Sequence, residues 1–94
     1  MKKVSINTRK RLILVDGEVI KPSRLQFDLL VLLSDNPGDV FTRDEILEKI
    51  WKTIHVDERT VDVHVTAIRK LVGKDRIESF KGVGYAWKED ELEL

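Results

Sequence analysis

Apolar and polar positions follow two different periods along this chain, and the switch between them falls at Pro22. Before it the pattern is β-like. Val4 and Ile6 alternate with polar neighbours, and Leu12 to Val15 is a short apolar run. Asp16-Gly17 then separates that run from Glu18 to Ile20. Both positions of such a pair tolerate positive φ, which is what a two-residue hairpin turn requires. Residues 1–21 are expected to form an N-terminal antiparallel sheet. After Pro22, Ser23 stands three residues before Gln26, a capping-box arrangement that opens a helix. Leu25, Phe27, Leu29, Leu30, Val31, Leu32 and Leu33 make that helix apolar around most of its circumference. It should be central and buried on more than one side. Asn36-Pro37-Gly38 stops it.

Val40-Phe41 reads as a short extended piece, followed by a second capping box in Thr42 and Glu45. Ile46, Leu47, Ile50 and Trp51 share one face at helical spacing, which predicts a short second helix ending at Trp51. Lys52 to Val56 is a loop, and Asp57 is placed to cap a third helix. Val61, Val65, Ile68 and Val72 recur at i, i+4, i+7 and i+11, a single buried stripe. Gly73 ends it. Residues 23–73 are thus a three-helix core. Ile77 to Phe80 and Tyr85 to Lys88 flank Lys81-Gly82-Val83-Gly84, so 76–88 is a hairpin. Residues 89–94 form an acidic tail. The order of elements is α+β, and 94 residues fit a single domain spanning 1–94.

Composition narrows the function classes. The chain has no cysteine, which excludes disulfides and thiolate metal sites. No apolar run approaches the roughly 20 residues of a membrane helix, and the start has no long apolar segment of the signal-peptide kind. A soluble, cytoplasmic protein with no membrane partner is expected. There is no Walker loop, no pair of histidines at ligand spacing and no glycine-rich strand–helix turn. Neither an enzyme nor a bound metal or cofactor is therefore expected. The 17 basic and 17 acidic residues cancel, which is unusual for a chain that would bind phosphate. Their distribution is uneven, however. Residues 1–11 carry five basic side chains and no acidic one, whereas residues 88–94 carry one basic and four acidic ones.

The third helix offers the clearest chemistry. At about 100° per residue from the Val61 stripe, the opposite face holds Arg59, Val63, Thr66 and Lys70, with Ala67 at its edge. That set contains two cations, a hydroxyl, two small apolar groups and no carboxylate. In a major groove, Arg and Lys contact phosphates or guanine edges, Thr66 bonds a base edge or a phosphate, and Val63 and Ala67 meet a thymine methyl. A short preceding helix and a hairpin with a cation at its tip complete the parts of a helix-turn-helix with a wing. An ordinary solvated face would also tolerate one exposed valine. A winged-helix protein-interaction module without DNA binding is the competing reading, since fold alone does not fix function.

The strings Arg59-Thr60-Val61-Asp62-Val63-His64-Val65, Arg69-Lys70-Leu71 and Lys81-Gly82-Val83-Gly84-Tyr85 carry a family resemblance. So do Asn36-Pro37-Gly38, Val40-Phe41-Thr42-Arg43, Ile50-Trp51 and Phe27-Asp28-Leu29-Leu30. Together they resemble the C-terminal effector domain of OmpR/PhoB-type response regulators over about Val4 to Trp87. The resemblance implies a winged helix and transcription regulation in bacterial two-component systems. It implies duplex DNA as partner, direct repeats bound by a head-to-tail homodimer, and a separate receiver domain. The chain is therefore expected to be part of a longer regulator.

The family's site residues carry over position by position. Arg59 matches an arginine that clamps phosphate at the start of the recognition helix, and Val63 matches an apolar base contact. His64 and Arg69 match phosphate-contacting positions, and Lys70 belongs to the same face. Thr66 and Ala67 fall where many members have larger polar or basic readers. Ser79 matches a hydroxyl residue of the wing that bonds phosphate. Lys81 stands where a wing arginine is usual; it keeps the charge but loses the planar fork, so reading of a narrow minor groove should be weaker. Ala86 replaces a frequent arginine. The loop Lys52, Thr53, Ile54, His55 and Val56 is about one residue shorter than common, and in the family it meets RNA polymerase. On the residues alone, His64 equally suits a half-buried hydrogen-bonded role, Trp51 and Trp87 suit anchors of core and hairpin, and Arg43 and Lys49 need be no more than solvated charges.

Overall fold

A computed structural model of the chain describes residues 2–53 and 55–89. β1 (Val4–Asn7), β2 (Leu12–Val15) and β3 (Glu18–Ile20) form an antiparallel sheet in the order β1-β2-β3. Asp16 and Gly17 take φ values of 50° and 83°, the positive pair that lets a two-residue turn follow the twist of its strands. The register that results pairs Ile13 with Ile20 and Leu14 with Val19. Alternation then sends Ile13 and Val15 into the core and leaves Leu14 on the outer face.

α1 runs from Arg24 to Ser34 and starts on the full Ser23–Gln26 capping box. Phe27, Leu29, Leu30 and Leu33 are buried and Val31 and Leu32 half-buried, which makes it the central helix. Past its end, the Gly38 N–H donates to the Trp87 carbonyl at 2.9 Å and ties the loop to the C-terminal hairpin. β4 is Phe41–Thr42, one residue later than the extended piece read from the pattern. The second helix departs from the expected regular one. α2 is a single turn, Arg43–Ile46, on the Thr42–Glu45 capping box, and Leu47–Trp51 continues it as a π turn. The wider turn buries Leu47 and leaves Ile50 and Trp51 half-buried against the core. Lys52, at φ 63°, ends it in the left-handed region.

α3 spans Arg59–Val72. The Asp57 carboxylate accepts the Arg59 N–H at 2.9 Å and so satisfies one of the donors left open at the helix start. Val61, Val65, Ile68 and Val72 are all fully buried. β5 (Ile77–Phe80) and β6 (Gly84–Trp87) make the C-terminal hairpin, its return strand one residue earlier than expected. β6 lies between β4 and β5 in a second antiparallel sheet. Gly84 permits this, because a Cβ there would stand 1.9 Å from the Phe41 carbonyl oxygen. One core cluster joins Ile13 and Val15 of β2, the inner faces of the three helices, and Ile77, Tyr85 and Trp87 of the hairpin. Three helices between an N-terminal sheet and a C-terminal hairpin, with α2 leading into α3, are a winged helix of the α+β class.

Candidate nucleic-acid interface

The α3 stripe fixes what the helix shows to solvent. With Val61, Val65, Ile68 and Val72 inward, Arg59, Val63, Thr66 and Lys70 are exposed and Ala67 is half-buried. Val63 is 64% exposed, the most exposed large apolar side chain among the described residues. The two ion pairs among the described residues involve neither Arg59 nor Lys70. The Thr66 hydroxyl donates to the Asp62 carbonyl at 2.9 Å.

Asp62, the one carboxylate of α3, is turned off this face. Its Oδ1 accepts from Arg43 Nε of α2 at 2.8 Å and from the Tyr85 hydroxyl of β6 at 2.6 Å. One oxygen thereby joins α2, α3 and the wing. Burial pushes the Asp62 carboxyl upward, but the Tyr85 and Arg43 hydrogen bonds outweigh it and hold the group below the usual carboxylate range. Burial and the same bond push the Tyr85 hydroxyl up. The hydrogen bond to Asp62 holds Arg43 still more firmly protonated. Arg43 is thus a structural partner rather than a solvated charge. Sequence spacing carries no trace of this pairing, since it joins residues 19 and 23 positions apart.

Arg69 lies on the flank of α3 and turns to the wing. Its Nη2 donates to the Ile77 carbonyl at 2.8 Å and to Ser79 Oγ at 2.7 Å. The guanidinium also lies 5.5 Å from the centre of the Tyr85 ring, and that of Arg43 lies 5.6 Å from it. Because Ser79 Oγ accepts from Arg69, its own proton remains available to a further acceptor. At the tip, Lys81, Gly82 and Val83 are exposed, with Val83 51% accessible. A cleft lined by Thr42, Arg43, Asp44, Glu58, Gly82 and Val83 puts this tip beside the segment that leads into α3. The wing tip therefore lies beside the start of α3.

His64 is half-buried, its Nδ1 2.9 Å from the Thr60 carbonyl and its ring edge-on to Trp51 at 5.0 Å. The carbonyl can only accept, so Nδ1 carries the hydrogen and Nε2 is the remaining nitrogen. Of the loop after α2, Lys52 and His55 are exposed and Thr53 and Val56 half-buried; Ile54 lies outside the described residues, as do residues 90–94 of the acidic tail. No cluster of metal-ligating side chains and no helix long and apolar enough to cross a membrane occurs among the described residues.

A face of cations, one hydroxyl and small apolar groups beside a cationic wing is chemistry suited to a phosphate-edged groove. Comparison with known proteins points the same way. The family model for the C-terminal part of transcriptional regulatory proteins matches residues 17–87. The transcriptional regulatory protein VxrB of Vibrio cholerae is 42% identical over 86 residues, which are 90% of this chain and 35% of VxrB. The DNA-binding domain of Bacillus subtilis CssR superposes with a TM-score of 0.84 at 26% identity, covering 90% of this chain and 99% of that one. The DNA-binding domain of Klebsiella pneumoniae RstA, solved in complex with the RstA box, gives 0.80 at 27% identity and covers 90% of each chain. The chain spans 35% and 40% of the length of the first two relatives it matches. By sequence and by fold, it belongs to the family of transcriptional regulatory protein C-terminal domains.

Proposed function

We propose that this chain is the effector domain of a bacterial two-component transcriptional regulator and binds duplex DNA, with α3 in the major groove and the wing in the adjacent minor groove. The observation that carries this reading is the exposed α3 face, where Arg59, Val63, Thr66 and Lys70 reach solvent and neither cation is held in an ion pair among the described residues. Arg59 and Lys70 supply phosphate contacts at its two ends. Val63, Thr66 and Ala67 meet base edges between them. His64, its Nδ1 committed to the Thr60 carbonyl, offers Nε2 toward phosphate. Ser79 offers its proton to phosphate while Arg69 fixes it in place, and Lys81 reaches the minor groove. So few base-reading side chains give one copy little discrimination, which favours a homodimer on direct repeats. Lys52, Thr53, Ile54, His55 and Val56 form the loop offered to RNA polymerase. The domain is expected to be a single unit over 1–94.

Salt dependence tests the proposal. Three DNA-bound cations per copy (Arg59, Lys70 and Lys81) should make log K fall against log salt with a slope of about −3 for each copy bound. Absence of duplex binding at low ionic strength, on fragments carrying repeated sites, would sink the reading. So would binding indifferent to salt.

A further inference from the structure

The Thr66 hydroxyl has one proton, and it is committed. Its Oγ1 lies 2.9 Å from the carbonyl oxygen of Asp62, one turn earlier on α3. A carbonyl cannot donate, so the hydrogen in this contact belongs to Thr66. The turn that supplies the carbonyl is itself held, because the Asp62 side chain is bonded to Arg43 and Tyr85 on two other elements. In a groove emptied of water an internal hydrogen bond of this kind strengthens. What Thr66 presents outward is thus an oxygen with a lone pair to offer and no proton to give.

That state decides among the groups a groove contains. Phosphate oxygens, guanine N7 and O6, thymine O4 and adenine N7 only accept, and none can pair with an oxygen that has no proton free. The donors in the major groove are the adenine N6 and cytosine N4 amino groups. Val63 lies three residues away, so it is a surface neighbour of Thr66, displaced by about 4.5 Å along the helix axis. The two side chains are therefore near enough to meet neighbouring bases. Its exposed apolar side chain suits a thymine methyl.

Building on the DNA-binding reading above, we infer that Thr66 is a specificity residue acting as a hydrogen-bond acceptor: it reads the amino group of an adenine or cytosine, within about one base step of a thymine whose methyl packs on Val63. Arg59 and Lys70, on the same face, hold the helix on phosphate and leave this pair as the sequence-reading part.

The test uses the full chain in selections from random duplexes, with wild type, Thr66→Ser, Thr66→Val and Val63→Ala, each first checked for native helix content. Wild type should enrich adenine or cytosine, over guanine and thymine, on one strand at one position of each half-site. Thr66→Ser keeps the oxygen and should keep that preference. Thr66→Val deletes it and should weaken the preference about 2- to 10-fold, the worth of one neutral hydrogen bond. An A·T pair also offers acceptors, so the amino group itself must be deleted. Purine in place of the selected adenine, or 2-pyrimidinone in place of the selected cytosine, should weaken wild type by the same factor and leave Thr66→Val unaffected. Uracil for the neighbouring thymine should cost wild type about 4-fold, the value of one buried methyl, and cost Val63→Ala nothing. The inference is overturned if the amino-deleted duplex binds wild type as tightly as the unmodified one, or if Thr66→Val leaves the profile unchanged. A wild-type selection that enriches no duplex at all overturns the DNA-binding reading instead, and this inference with it.

Discussion

Gly84 opens β6 at the point where the wing is paired to β4. A Cβ at this position would lie 1.9 Å from the Phe41 carbonyl oxygen, 2.7 Å from its carbon and 2.9 Å from the Thr42 Cα. All three atoms are backbone, so no side-chain rotation relieves the clash. In Gly84→Ala, either β4 leaves β6 or the wing moves out by roughly 1.5 Å to reach ordinary contact. Overpacking of this kind costs about 1–3 kcal/mol. Loss of the pairings Phe41 with Tyr85 and Thr42 with Gly84 adds about 1 kcal/mol per hydrogen bond. A total near 3 kcal/mol should lower Tm by about 10–20 °C in a domain of this size. Gly82→Ala is the control. Gly82 has φ 75° but nothing within 4 Å of an added Cβ, so only backbone strain of about 1 kcal/mol applies. Thermal and urea unfolding of both variants decide the matter. A Gly84→Ala protein within about 1 kcal/mol of wild type, or no worse than Gly82→Ala, would refute the argument that β4 and β6 meet through a missing side chain. Because the same strand carries the wing, Gly84→Ala should also weaken duplex binding without removing any atom that faces DNA.

Other expectations follow from the site. Arg59→Ala should weaken binding to all duplexes about equally and make the salt slope shallower by about one; a change of base preference in a selection would count against a phosphate role. Arg69→Ala removes the bonds to Ile77 and Ser79 and should cost about 1–2 kcal/mol of stability while speeding hydrogen exchange in β5. A salt slope shallower by a full unit at unchanged stability would instead assign Arg69 to phosphate. Asp62→Asn should destabilise the chain at neutral pH and much less in acid. The folded carboxyl is held low by Tyr85 and Arg43 against the pull of burial, so its contribution is full above the ordinary carboxylate range and is lost as pH falls through the depressed value. A stability gap between wild type and Asp62→Asn that widens on acidification would contradict this sign.

Local rules made most of the fold readable from the chain. Asp16-Gly17, the two capping boxes and the Val61 stripe each involve residues a few positions apart, and each appears in the structure where the spacing put it. The exceptions have tertiary causes. Periodicity cannot distinguish an α turn from a π turn over five residues, so the widening at Leu47–Trp51 was not visible in it. The face of α3 was legible because burial of one stripe determines the other. Its chemistry was less so. Arg69 looks in sequence like a free cation near Lys70, yet the wing carbonyl and hydroxyl that capture it lie 8 and 10 residues ahead. Arg43, Asp62 and Tyr85 share no spacing rule and meet only when α2, α3 and β6 pack. The Thr66 hydroxyl depends on a rotamer, and spacing says nothing of rotamers.

The exposed face of α3 and the wing tip are the parts of the molecule proposed to meet DNA. Titrating isotopically labelled chain with a selected duplex and following every amide resonance tests this most directly. The largest shifts are expected at Arg59, Val63, Thr66, Lys70 and the tip residues Lys81 to Val83. Little change is expected on the outer face of the N-terminal sheet, where Leu14 and Val19 pair across the strands. Shifts concentrated at Leu14 and Val19, with α3 and the wing silent, would contradict the proposal.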